Sequence, residues 1–209
     1  MSAVLENKET IATQHPVVNV AIANGIKQRL ITVAEYDKMI EHGIYNKYDR
    51  VELLNGVLIE KMSKGPKHAA LNDSIGDWFR EKLGDRAYIR LQNPIVLNDF
   101  SEPEPDLVLA KPPRQTYYER HPKPEDIFLI LEISDTTVSY DRNAKAVAYA
   151  KAGIIQYILL NLQNQTIEDY REPAEDGYQS KQTYHTGQSF KLVAFPDVEI
   201  NVDELLPTE

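Results

Sequence analysis

Cysteine is absent from this chain of 209 residues, which excludes disulfides and thiolate metal sites and fits a cytoplasmic protein. Positive charge is also scarce: 23 Lys and Arg face 32 Asp and Glu, leaving a net charge of −9. That balance argues against a protein that coats nucleic acid with a broad basic surface, but not against a local basic patch. No apolar run approaches the roughly 18 residues of a membrane span, so no membrane partner is expected. The N-terminus lacks the cationic-then-apolar order of a secretory signal. The five histidines show no close metal-ligand spacing, which disfavours zinc.

What remains is an ordinary globular composition, with 42% hydrophobic residues to build a core. The length suits one α/β domain. Residues 1–28 read as a flexible N-terminal leader with one possible short strand at Val17-Val-Asn-Val-Ala-Ile22, and residues 29–209 as a single domain.

Thr32-Val-Ala-Glu35 predicts a capping box, and Val33, Tyr36, Met39 and Ile40 then recur at helical spacing. Asn55-Gly56 between two apolar runs predicts a tight hairpin. Pro66 suits a helix start, and Leu71, Ile75, Trp78, Phe79 and Leu83 form its apolar stripe up to Gly84. Strands are expected at 87–91, 95–97 and 106–110, then at 128–134 and 154–160 with an alanine-rich helix at 143–152 between them. Such a β-α-β unit favours a parallel pair at the sheet centre. Residues 166–193 read as an antiparallel meander, and Leu205-Leu206 as the docked C-terminus. The expected class is α/β (α+β), a mixed central sheet flanked by helices with an antiparallel C-terminal meander.

The chemistry points to Phe128-Leu-Ile-Leu-Glu-Ile-Ser134. A lone carboxylate, Glu132, stands in an apolar strand, and burying it is costly without a partner cation or metal. Alternation puts Phe128, Ile130, Glu132 and Ser134 on one face. A second acid, Asp106, opens the apolar run Pro105-Asp-Leu-Val-Leu-Ala110. Carboxylate oxygens suit Mg²⁺, with Mn²⁺ as a substitute, and the Ile133 backbone carbonyl is a further candidate ligand. With Lys145 to stabilise developing charge, and Glu52 as a further acid, the set has the makings of a phosphodiester-cleaving site.

Bland readings stand beside these. Asp106 caps a turn; Glu132 makes a structural ion pair with Lys145 or Arg142; Lys145 is a helix-surface lysine; Glu52 faces solvent; Asp141 caps a helix. His68 is a capping or surface histidine, or else contacts a phosphate. A carboxylate-pair glycosidase is a third reading, without the aromatic-lined groove it would want.

Pro105-Asp106, followed 26 positions later by Glu132, resembles the PD-(D/E)XK nuclease superfamily. More specifically, the chain resembles a bacterial family of "putative restriction endonucleases". The matching pieces are Thr32-Val-Ala-Glu-Tyr36, Val51-Glu-Leu-Leu-Asn-Gly56, His68, Pro105-Asp-Leu-Val108, Leu131-Glu-Ile-Ser134, Tyr140-Asp-Arg-Asn-Ala-Lys145 and Tyr149-Ala-Lys-Ala-Gly-Ile154, running on to Tyr157. The resemblance implies a restriction-endonuclease-like fold and a Mg²⁺-dependent deoxyribonuclease acting on duplex DNA, with a homodimer favoured for cutting both strands. Asp106 and Glu132 become metal ligands and Glu52 an early acidic residue of the site. The superfamily's lysine, two residues after the acid, is replaced by Ser134, and Lys145 on the following helix matches its role. His68, Ser134 and Arg142 are the expected substrate contacts. The alternative is a non-cleaving module of the same fold that binds DNA or a protein; Ser134 and the net charge favour it.

Overall fold

The computed structural model describes residues 27–206 except Lys47 and Ser63. The short strand expected at 17–22 lies outside the described residues.

Helix α1 (Val33–Glu41) begins as the capping box predicts, with Thr32 and Glu35 exchanging side-chain-to-backbone hydrogen bonds. Only Tyr36 of its apolar stripe is buried, and its hydroxyl donates to the Val51 carbonyl at 3.1 Å. Strands β1 (Val51–Leu54) and β2 (Val57–Glu60) form an antiparallel hairpin. Asn55 and Gly56 turn it with φ of 51° and 77°, the primed geometry that side-chain-bearing residues resist.

Helix α2 (Pro66–Leu83) starts on proline and stops at Gly84, whose φ is 53°. Then follow β3 (Tyr88–Leu91), β4 (Leu107–Ala110) and β5 (Ile127–Ser134). A short helical turn α3 (Val138–Tyr140) runs through a π-helical turn (Asp141–Lys145) into α4 (Ala146–Lys151). Strands β6 (Gln156–Asn161), β7 (Thr166–Ala174) and β8 (Gly177–Tyr184) complete a six-stranded sheet in the order β3-β4-β5-β6-β7-β8. Its single parallel pair is β5 with β6, the crossover through α4. Strands β9 (Ser189–Lys191) and β10 (Glu199–Asn201) pair apart from that sheet, and α5 (Val202–Leu205) docks Leu205 and Leu206. The architecture is therefore α+β, a mixed central sheet flanked by helices.

Each sheet face has its own core. Leu129, Leu131 and Ile133 of β5 point into the layer of α2, β9, β10 and α5. Ile130 points to the other side, among Leu54, Ile95, Leu97, Ala146 and Tyr149. Each fully buried aliphatic side chain contributes about 1.5–3 kcal/mol, so β5 is anchored from both sides. Its five consecutive apolar residues, Ile127–Leu131, thus reflect burial on two faces, as central strands require.

The sequence expectations fail in three places. The segment 95–97 is not a strand: its amides reach three separate carbonyls, of Pro103, Pro122 and Ser101, so no single neighbouring chain forms a ladder with it. Phe128 does not share the Glu132 face. A register shift at Leu109/Ala110 pairs Ala110 with Ile127, and Phe128 turns to the α2 side, its ring 5.0 Å from that of Phe195. The C-terminal meander is cut short, because β9 leaves the main sheet to pair with β10.

Candidate active site

At one end of the sheet, β5, the π-helical turn, β1 and the residues just before β4 bring five charged groups together. Glu132 is 4% exposed. Its Oε1 accepts from Lys145 Nζ at 2.8 Å and from the Tyr149 hydroxyl at 2.7 Å. Its Oε2 faces the Asp106 amide at 3.4 Å. Lys145 Nζ also lies 3.4 Å from Glu52 Oε1 and 3.8 Å from Asp141 Oδ1.

The π-helical turn puts Asp141 and Lys145 on the inner side. The Ala146 amide reaches back to the Asp141 carbonyl, one residue beyond α-helical spacing. Both side chains are buried, and Tyr149, one turn further on, closes over Glu132. Asp141 does not cap the helix start, where Thr137 stands: Thr137 donates to its Oδ2 at 2.6 Å, and Ser134 Oγ sits 3.1 Å from Thr137 Oγ1. Ser134, where the superfamily carries lysine, is wholly buried beside that chain of contacts.

Asp106 is held differently. Oδ2 accepts from the Ile133 amide at 2.9 Å, so the recorded contact at Ile133 is its N–H. Oδ1 accepts from Lys64 Nζ at 2.6 Å and lies 3.1 Å from His68 Nε2. His68 is thus brought to the site by the first turn of α2. Glu52 faces inward, not to solvent: it accepts from the Glu104 amide at 3.1 Å and the Tyr140 hydroxyl at 3.3 Å. Arg142 is drawn away, its guanidinium bound to Glu168 on β7.

Burial works against every one of these charges. It raises the Glu132 carboxyl, and the Lys145 charge only partly offsets it. Burial also works against the Lys145 ammonium, but the Glu132, Glu52 and Asp141 charges outweigh it and hold that group well above its usual range. These two tendencies conflict over where the shared proton sits. Both recorded contacts at Glu132 Oε1 come from donors and Oε2 faces an N–H, an acceptor-only setting that fits an ionised carboxylate beside an ammonium. Burial raises Asp106 too, but the His68 and Lys64 contacts reverse this and hold it well below the carboxylate range. For Glu52, burial is again outweighed, chiefly by Lys145 and Lys61, and the net shift is downward.

With all groups ionised, the carboxylates of Glu52, Asp106, Glu132 and Asp141 exceed the ammoniums of Lys64 and Lys145 by two charges. Oxygen donors and surplus negative charge are the chemistry a hard divalent cation requires. Among the described residues no group of three or more His, Asp or Glu is arranged to hold a metal. Mg²⁺ needs only one or two protein ligands, so the donor set of Asp106 and Glu132 suits it.

Sequence reasoning missed Lys64 and Tyr149 as site residues. Tyr149 is four residues from Lys145 and so shares its helix face. Lys64 belongs to the basic stretch Lys61, Lys64, Lys67 and His68, conspicuous in an acidic chain. Among the described residues, no helix is long and apolar enough to cross a membrane.

No curated protein matches the chain. A solved structure of a "putative nuclease belonging to DUF820" from Anabaena variabilis matches with a TM-score of 0.65 at 17% identity, covering 84% of this chain and 97% of that one. At that identity the likeness shows a shared fold. The model of the Uma2 family, described as "Putative restriction endonuclease", matches residues 33–203, and the chain belongs to that family.

Proposed function

We propose that this protein is a divalent-metal-dependent endonuclease that hydrolyses phosphodiester bonds of duplex DNA. The observation that carries the reading is the convergence of Asp106, Glu132 and Lys145: Lys145 Nζ is 2.8 Å from Glu132, whose other oxygen faces the Asp106 amide. Asp106 and Glu132 are the ligands for Mg²⁺ or Mn²⁺, with the Ile133 carbonyl as a further candidate. When bound, such an ion polarises a phosphoryl oxygen and makes its water a better nucleophile.

The chain's own residues do the rest. Lys145 keeps a full positive charge in a dry setting, where it stabilises charge developing on the phosphate far more than it would in water. Glu52 and Glu132 hold that ammonium in place, and Tyr149 fixes the carboxylate to which it is bound. His68 is placed for a phosphate contact beside Asp106. Lys145 takes the part of the missing strand lysine, and Ser134 supports Asp141 through Thr137. One site per chain favours a homodimer for cutting both strands.

The test is plasmid nicking with Mg²⁺ or Mn²⁺, wild type against Asp106→Asn. Nicking by the wild type alone supports the enzyme. A second reading, a non-cleaving module that binds DNA, is favoured by Asp106 Oδ1 being already engaged by Lys64 and His68. Retained DNA binding with no nicking by either protein supports that module.

A further inference from the structure

We infer that Lys64 is a gate on the metal site: its ammonium occupies the cation position at Asp106 Oδ1, is displaced when a divalent ion binds, and then meets the phosphate backbone of the substrate. This rests on the metal-dependent reading above.

Asp106 has two carboxylate oxygens, and both are engaged. Oδ2 is committed to the Ile133 amide at 2.9 Å, inside the sheet. Oδ1 is shared by Lys64 at 2.6 Å and His68 at 3.1 Å. A divalent ion on Oδ1 would stand where the ammonium stands, and two cations do not share one oxygen at such distances without strong repulsion. Binding of the ion therefore requires Lys64 to leave. The two lysines of the site differ in what they are free to do. The Lys145 side chain is 6% exposed and lies near three carboxylates, so it is fixed. The Lys64 side chain is 19% exposed and Asp106 is its recorded ion-pair partner.

The backbone around Lys64 permits the movement. Lys61 is tied to Glu104, through both its carboxylate at 2.9 Å and its carbonyl at 3.2 Å. Pro66 begins α2. Lys64 lies between these fixed points, in neither helix nor strand, next to Gly65, where an added Cβ would meet nothing within 4 Å. A lysine stem is long enough to move its head group several ångströms without disturbing either anchor. Once released, its charge stands at the edge of a cluster of buried acids that a polyanion must approach, near Lys67 and His68 in sequence. The same side chain thus shields Asp106 while the ion is absent and offsets phosphate charge when it is present.

The test is calorimetric titration of the full chain with Mn²⁺ in the absence of DNA, comparing wild type, Lys64→Gln and Lys64→Arg. Removing the competing charge should tighten Mn²⁺ binding about two- to fivefold in Lys64→Gln, the scale of one partly exposed ion pair. Lys64→Arg keeps a cation on Asp106 and should bind Mn²⁺ no more tightly than wild type. With Ca²⁺ as a non-cleaving ion, Lys64→Gln should bind a short DNA duplex more weakly, with a salt slope lower by about one. If wild type binds Mn²⁺ and Lys64→Gln binds it equally or less tightly, the gate is overturned while the metal-dependent reading stands. If none of the three binds Mn²⁺, that reading fails and the gate with it.

Discussion

Lys145 and Glu132 meet at 2.8 Å from different elements, a helix turn and a strand, and each is the other's main charge partner in a site from which water is nearly excluded. Removing either one leaves the other as a buried, uncompensated ion. Lys145→Ala should therefore lose about 3–5 kcal/mol of folding stability in urea unfolding. It should also lower nicking by about a hundredfold or more, since a charge that stabilises the transition state is gone.

Ser134 and Glu132 are two residues apart on β5, so a lysine at 134 starts from the Glu132 side of the strand. Ser134→Lys in a Lys145→Ala background should recover nicking about tenfold over Lys145→Ala alone. No recovery would mean that the amine acts only from the π-helical turn.

Tyr149→Phe removes one of two hydrogen-bond donors to Glu132 Oε1 while keeping the ring that packs against Tyr157 at 5.2 Å. Stability should fall by about 1–2 kcal/mol, measured by thermal or urea unfolding. Nicking should fall less than for Lys145→Ala, because Lys145 remains in place.

Glu168 offers a pH prediction away from the site. Burial works to raise its carboxyl, but hydrogen bonds from Arg142, Tyr170 and Lys181 outweigh it and lower it from 4.5 to about 2. A carboxyl lowered on folding adds stability above pH 4.5, and that stability is lost as pH falls towards 2. Arg142 and Lys181 are 36% and 40% exposed, so salt should weaken the effect. Unfolding of Glu168→Gln followed from pH 7 to pH 2 should show a shallower acid loss than the wild type.

Gly56→Ala tests the hairpin that carries Glu52. Gly56 has φ of 77°, and an added Cβ would come 2.5 Å from the Leu30 Cβ. Both the strained backbone and the contact oppose the substitution, which should cost about 1–3 kcal/mol in unfolding.

Much of the fold was legible because its signals are local. The Thr32 box, the Asn55-Gly56 turn, Pro66 and the apolar run around Glu132 each act through neighbours in sequence. The failures were non-local. The shift that turned Phe128 over belongs to the pairing of two strands, and the segment 95–97 lacked a partner that no local pattern reveals. In the site, acids inside apolar runs announced themselves by their cost, whereas Lys64 and Tyr149 look ordinary until the fold closes around them. Arg142 shows the converse, a cation adjacent in sequence to the cluster that the helix turns towards Glu168.

The sequence by itself determined that Glu132 would need a cation, because a charge in an apolar strand is unaffordable alone. It also determined where helices and hairpins begin, since caps and turn residues act over three or four positions. Only the tertiary structure decided which cation answered which acid. Lys145 went to Glu132 and Lys64 to Asp106, because a π-helical turn and the start of α2 set those head groups in reach, and reach is a property of packing rather than of order along the chain.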